Sequence, residues 1–387
     1  MILIDGPYVS EFLKETLYRN QFPVVRTLVA GRFLDSSRTN FIKASQARQL
    51  LKDDSETALY TNSENALEWL YENIGESKRV QSARLVKDKI AFRETLKGLH
   101  SDYLFAGHDQ DSLKKINPTE LHFPLILKPS VGFFSLGVQR IEDARGWSLA
   151  ISDLDSMISK SNGLYPEGVL NNQHFVLEAV IPGDEFAVDC YFDHQGQPVV
   201  LNLMQHLFAS EAHMNDRVYY TSGEVITKHL KTVTDYLEKL GPLFQLVNFS
   251  AHIELRIHKG EAHAIEINPL RFGGWCSTAD TAFHAWGMNI YELLMAGERP
   301  DWKHLVQEHK DIYALLVLDN SSGVAGTGIK TFDYDRLMSQ VAHPLELRKT
   351  NFRQFPLFGF LMCRISSGSL NDLDGLLHSD LREFVKT

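Results

Sequence analysis

Ile253-Glu254-Leu255-Arg256-Ile257 and, beyond Lys259-Gly260-Glu261, Ile265-Glu266-Ile267-Asn268 are the two stretches that decide how this chain is read. In both, apolar and polar residues alternate, the period of a strand with one buried face and one wet face. For the two apolar sets to share one core, the connecting loop must hold an odd number of residues. Lys259–Glu261 fits as a three-residue loop around Gly260. That register sets Glu254 directly opposite Glu266, with Asn268 on the same face. Carboxylates side by side on paired strands repel and raise each other's pKa. A divalent cation between them removes the conflict, and oxygen ligands at this spacing suit Mg²⁺, which takes one or two carboxylates with phosphates and water. A solvated face, its acids neutralised by Arg256 or a nearby lysine, is the alternative the hairpin leaves open.

Upstream, Phe123–Leu127 reads as a strand that ends on Lys128-Pro129 and runs into a glycine-containing segment, Pro129–Gly137. A lysine closing an apolar strand must put its ammonium group into water or onto an anion. The backbone N–H groups of the following loop can fold over phosphate. Gly132 and Gly137 have the G-x-x-x-x-G spacing, but Val138 stands where a P-loop requires lysine, so this is not a Walker A motif. Further on, Glu178 interrupts the apolar run Phe175–Ile181 just before Pro182-Gly183. Buried, it needs a hydrogen-bond donor, which a purine amino group would supply; on an edge strand it would face water.

Around these segments the chain alternates strand and helix up to about residue 85: Ile2–Ile4, a helix marked by Phe12, Leu13 and Leu17, Val24–Val29, Leu59-Tyr60, and a helix marked by Leu67, Leu70, Tyr71 and Ile74. This implies a small open α/β lobe. No G-x-G-x-x-G follows its first strand, which argues against dinucleotide binding. Lys87–Leu99 and Trp147–Ser159 read as helices. A strand-rich half then follows with His174–Ile181, Glu185–Phe192 and Pro198–His206. Ser222–Leu240 is a long amphipathic helix closed by Gly241-Pro242, and Thr278–Ala296 reads as one helix. The remainder mixes strands (Ile312–Leu318, Phe358–Ile365) with a final helix. The fold class is therefore α/β and α+β.

The 387 residues suffice for two or three lobes. Hydrophobic content of 44% and charged content of 23% are those of a globular protein with a full core. A net charge of −10 argues against nucleic acid as a partner, since phosphate backbones demand clustered Lys and Arg. Cys190, Cys276 and Cys363 are widely spaced, with no zinc or dithiol pattern. The first residues lack a basic segment leading into an apolar run, and no stretch approaches the ~20 apolar residues that span a bilayer. A cytoplasmic protein without a membrane partner is expected.

In order and separation, these elements resemble the ATP-grasp superfamily over roughly residues 85–300, in particular its carboxylate-amine or carboxylate-thiol ligases such as the L-amino acid ligases. The resemblance implies a Rossmann-like pre-ATP-grasp lobe (1–85), an ATP-grasp domain (86–300) whose small lid covers about 120–180, and a C-terminal α+β extension (301–387) completing the larger lobe. It implies ATP with Mg²⁺, or Mn²⁺ in its place. Lys89, following Asp88 at a helix start, and Lys128 match the family's phosphate-contacting lysines. Ser135 and Gly137 fall in the loop that closes over phosphates. Glu178 and the Val180 backbone fall where the adenine is read, and Glu185 matches the acid that holds the ribose. Glu254, Glu266 and Asn268 correspond to the family's E…E-x-N metal ligands. Arg271 resembles the arginine that contacts the substrate carboxylate or the transferred phosphoryl group, although it arrives one residue later than in E-x-N-P-R. Arg217, before the long helix, is placed to approach the γ-phosphate. The activity implied is ADP-forming ligation of a small carboxylate to an amine through an acyl phosphate, with Arg271, Lys128 and Arg217 catalytic. The alternatives are an ATP-dependent phosphotransferase and a nucleotide-binding regulatory protein. A homodimer is compatible with all three.

Overall fold

A computed structural model describes residues 1–52, 57–131, 138–161, 171–209, 217–365 and 369–387. The chain forms two compact units. The first comprises Met1–Gly183, Cys190–Val199 and Thr232–Cys276; the second comprises Asp184–Asp189, Val200–Lys231 and Ser277–Thr387. No helix among the described residues is long and apolar enough to cross a membrane.

The first unit opens with a parallel sheet in the order Phe41–Ile42, Val24–Val25, Ile2–Leu3, Tyr60–Thr61. Its first helix, Glu11–Asn20, starts where the Ser10 hydroxyl accepts the Leu13 N–H, and it buries Leu13 and Leu17. The expected strand Val24–Val29 stops at Val25, because Val29 already caps the short helix Ala30–Phe33. Two helices then abut at one residue. Lys78–Lys87 ends at Asp88, whose carboxylate accepts the Ile90 and Ala91 N–H groups and so starts Lys89–Leu96. The expected single helix from Lys87 is therefore replaced by a break at Asp88.

A second, antiparallel sheet in this unit has the order Phe105–Asp109, Asn171–Ala179, Leu125–Val131, Gln139–Ile141. Leu125, Leu127, Phe175 and Leu177 pack with Trp147, Ala150 and Leu154 of the helix Ala144–Ser161 into one apolar cluster. Strand alternation turns Ile126, Lys128, Val176 and Glu178 to the opposite face. Packing of the cluster thus decides where Lys128 and Glu178 point.

The hairpin of Phe249–His258 and Glu261–Pro269 completes this unit's site-bearing elements. Glu254 pairs with Glu266, and His252 with Asn268. The route to that register differs from the expectation. His258 pairs with Glu261, so the loop is the two residues Lys259 and Gly260, with φ of 52° and 84°. Such a turn matches the right-handed twist of a hairpin. The register shifts between Glu254 and Leu255, which pairs with Ala264, so Ile265 is an extra, bulged residue. Before the bulge Ala262 and Ala264 face the core; after it Ile267 does. The bulge changes the parity that a three-residue loop would have changed.

In the second unit an antiparallel sheet runs from the Val200–Leu207 part of Pro198–Leu207 through Val218–Thr221, Ile312–Asp319, Leu357–Ile365 and His343–Lys349. The expected helix Thr278–Ala296 is two, Ser277–Trp286 and Ile290–Ala296, because the Asn289 side chain caps the second by accepting the Tyr291 and Glu292 N–H groups. Gly241-Pro242 does not close the long helix, which spans Gly223–Phe244. It ends where Gln245 adopts a φ of 54° and the Leu246 N–H donates to the Gly241 carbonyl over 3.0 Å.

Gly183 has a φ of +102°, and a Cβ there would lie 2.2 Å from the Ile257 carbonyl oxygen. Replacing it with alanine must therefore move the segment after Glu178 away from the acidic hairpin. Gly183→Ala is expected to destabilise the protein by roughly 1–3 kcal/mol, read as a lower urea midpoint; an unchanged midpoint would refute this packing.

Candidate functional site

The cap at Asp88 separates two neighbouring lysines so that each meets a different acid. Lys87 pairs with Glu64, and the Lys89 Nζ lies 3.2 Å from the Glu266 Oε2. Both lysines are buried. Asn268 Nδ2 donates to the Glu266 Oε1 over 3.1 Å, which leaves the amide oxygen as the atom of the kind Mg²⁺ takes. Glu254, on the same face, has its Oε1 3.8 Å from the His252 Nε2. Glu266 is held well below its ordinary value: burial opposes this, but Lys89, Lys87, Lys128 and the Asn268 hydrogen bond outweigh it.

Arg271 is also buried. Its Nη2 lies 2.6 Å from the Glu64 Oε1, and its Nη1 donates to the Phe272 carbonyl over 2.8 Å. Glu64 therefore joins Lys87 to Arg271. On the facing sheet, the Lys128 Nζ lies 2.6 Å from the Glu178 Oε1. The other cation on Glu178 is Arg93, whose Nε donates to Oε2 over 2.6 Å and whose Nη2 donates to Oε1 over 3.2 Å. Burial would push the Glu178 carboxyl up, but Lys128 and Arg93 hold it at about 2. Burial pushes the Lys128 ammonium down, aided by the charges of Arg93 and Lys89, while Glu178 opposes that shift.

Lys89, Lys128, Glu178, Glu254, Glu266, Asn268 and Arg271 thus all lie in the first unit, as does Val180, half-buried just after its strand. The donors to Glu178 come from Arg93 and Lys128, so its burial does not call for a purine amino group. Glu185 and Arg217 lie in the second unit. There Glu185 Oε1 is 3.0 Å from His206 Nδ1, and the His206 ring stacks on Tyr219 at 4.2 Å. The Arg217 Nη2 is 2.7 Å from the Asp319 Oδ1, while Nε and Nη1 have no hydrogen-bond partner among the described residues. Ser135 and Gly137 lie outside the described residues, as does Gly132.

Sequence reasoning passed over Arg93, Glu64 and Lys87. For Arg93 a signal was present: it sits four residues after Lys89, hence on the same helical face, between the buried Phe92 and Leu96. Glu64 and Lys87 had no comparable mark. Five cations (Lys87, Lys89, Arg93, Lys128, Arg271) face three acids (Glu64, Glu178, Glu266) in these pairs, a local positive surplus on a chain of net charge −10. Such a surplus suits an anion. Among the described residues no group of three or more His, Cys, Asp or Glu side chains could hold a metal by itself. The candidate set is two carboxylates and an amide, which fits a cation that keeps phosphate and water among its ligands.

Residues 121–279, which hold three of the four strands of the second sheet and the acidic hairpin, match the family described as the ATP-grasp domain. The chain carries an ATP-grasp domain. No curated protein matches the chain. Among solved structures, an L-amino acid ligase from Bacillus licheniformis is 16% identical with a TM-score of 0.67, covering 100% of this chain and 97% of that one. The N5-carboxyaminoimidazole ribonucleotide synthetase of Thermotoga maritima is 13% identical with a TM-score of 0.62, covering 100% and 98%. A biotin carboxylase–β,γ-ATP complex from Campylobacter jejuni is 12% identical with a TM-score of 0.58, covering 95% and 87%. At these identities the likeness is one of fold, and it extends beyond the ATP-grasp domain over nearly the whole chain.

Glu178 has an ordinary value of 4.5 and is held at about 2. Its pairing therefore stabilises the fold fully above about pH 4.5 and is lost as pH falls toward 2. In Glu178→Gln the urea midpoint should be lower at neutral pH and fall less steeply across that window than in the unaltered protein. Parallel acid limbs would show that the pair contributes nothing there.

Proposed function

We propose that the ATP-grasp domain binds Mg-ATP and that the protein is an ADP-forming ligase joining a small carboxylate, such as an amino acid, to an amine. The observation that carries this is the alignment of Glu254, Glu266 and Asn268 on one strand face, with Lys89 paired to Glu266. The whole-chain likeness to ligase structures supports it.

Glu254, Glu266 and Asn268 would hold Mg²⁺, which when bound neutralises charge on the β- and γ-phosphates. Lys89 and Lys128 would each donate to phosphate oxygens; each ammonium has three N–H donors, so a carboxylate partner leaves others for the ligand. The Val180 backbone and Glu185 would read the adenine and the ribose, with Ser135 and Gly137 in the loop over the phosphates. Arg271, oriented by Glu64, would bind the acceptor carboxylate, and Arg217 the transferring phosphoryl group. The lobes would divide as 1–85, 86–300 and 301–387.

In the first step a carboxylate oxygen attacks the γ-phosphorus, the bond to the bridging oxygen breaks, and ADP leaves. In the second the amine attacks the acyl carbon, phosphate departs, and the nitrogen loses its proton. The protein's contribution is positioning and charge stabilisation. Three free, buried cysteines fit a reducing, cytoplasmic setting.

Purified protein given ATP, Mg²⁺ and pooled amino acids and carboxylates should release phosphate only when both a carboxylate and an amine are present. Glu266→Gln and Lys128→Ala should each lower that rate by about 100-fold or more, with the fold retained by circular dichroism. Near-normal turnover in either variant rejects the assignment of that residue. A stable phosphorylated product without an amine requirement marks a phosphotransferase, and saturable Mg-ATP binding without turnover marks a regulatory protein.

A further inference from the structure

We infer that Arg93 is a positioning residue that sets the phosphate-facing lysine and the metal-facing hairpin at once; this rests on the Mg-ATP reading above. Arg93 is 2% exposed, although it lies on a helix and carries a charge. One side of its guanidinium grips Glu178 through Nε and Nη2, and Glu178 in turn holds Lys128. The other side donates from Nη1 to the Ala264 carbonyl over 2.7 Å and from Nη2 to the Ile265 carbonyl over 3.1 Å.

Those two carbonyls belong to the bulge. An extra residue in a strand leaves ladder partners unmade, and buried backbone groups left unpaired are costly. Arg93 supplies the missing donors at the point where the hairpin changes parity. Upstream of the bulge Ala264 faces the core; two residues later Glu266 faces the proposed ligand. Loss of the fork would let the bulge migrate or close, and any one-residue slip turns Glu266 and Asn268 to the other face. Tyr103 stacks on the guanidinium at 5.0 Å and donates its hydroxyl to the Ala179 carbonyl over 2.6 Å, fixing the fork from the side. Lysine cannot replace it, because a single ammonium has no planar fork to reach both partners.

The test uses the full chain and two probes: Mn²⁺ alone, followed by electron paramagnetic resonance, and MgADP, followed by calorimetry, both in the cold where every variant is folded by circular dichroism. Arg93→Met should weaken both affinities by roughly 10–100-fold, the range for residues that orient metal ligands. Arg93→Lys should restore neither to within threefold or so. Lys128→Met, as the comparator, should weaken MgADP alone. An arginine serving only the fold would lower the melting temperature and leave both affinities unmoved, and that result overturns the inference. Should neither Arg93 variant yield folded protein, Glu178→Gln decides: MgADP weakened about tenfold with Mn²⁺ unchanged supports the relay, and unchanged MgADP overturns it. Unaltered protein that binds neither probe overturns the Mg-ATP reading and this inference with it. Unaltered protein that binds both, alongside an Arg93→Met that also does, removes only the role of Arg93.

Discussion

Glu178 is a carboxylate within the otherwise apolar run Phe175–Ile181, kept ionised by Lys128 from the neighbouring strand and Arg93 from a helix. Burying one charge alone is prohibitive, and burying a pair repays the cost only when geometry and remaining hydrogen bonds are well met. Here a bidentate guanidinium and an ammonium saturate both carboxylate oxygens. Deleting one member of such a group costs about 3–5 kcal/mol because it strands the others. The helix Lys89–Leu96, the strand Leu125–Val131 and the bulge at Ile265 are therefore not independent. Each supplies a group that another has already paid to desolvate.

The acidic hairpin shows how two local demands settle one register. A right-twisted hairpin favours a two-residue turn, which Lys259 and Gly260 provide. With an uninterrupted ladder that turn would put Ile265 opposite Glu254 and bury Glu266. The core accepts Ile267, Leu255 and Ile253 on one face and leaves the acids on the other. The bulge reconciles turn and core, and its Ala264 and Ile265 carbonyls both accept from Arg93.

The opposition of Glu254 and Glu266 was legible in the sequence because it depends only on alternation and on which residues are apolar. The bulge was not, since a three-residue loop and a two-residue loop with one extra strand residue give the same register there. The alternation of strands and helices near the start of the chain was legible for the same reason as the hairpin, whereas the ends of helices rested on single side chains, such as Asp88 and Asn289, that cap rather than pattern. Gly241-Pro242 misled because a proline in the last turn does not by itself end a helix; the left-handed Gln245 does. Lys128 and Glu178 stood out one at a time. Their pairing did not, because Lys128 faces Val176 across the ladder, and only the shared face and the reach of the lysine bring it to Glu178.

Every cation proposed to meet phosphate in this unit is paired to an acid: Lys89 to Glu266 and Lys128 to Glu178. This looks like an obstacle to anion binding, yet it follows from burial. A lysine enclosed without a counter-charge would lose its proton, and a neutral amine is a poor phosphate ligand. For Lys128, burial pushes the ammonium down and the charge of Glu178 opposes that shift. Lys89 is the cation beside Glu266, the carboxylate proposed to hold Mg²⁺. On the proposed Mg-ATP reading, Glu266 would serve the metal and the Lys89 ammonium would be left for phosphate. Five cations against three acids in these pairs leave a positive surplus even after every acid is matched, and such a surplus suits an anion.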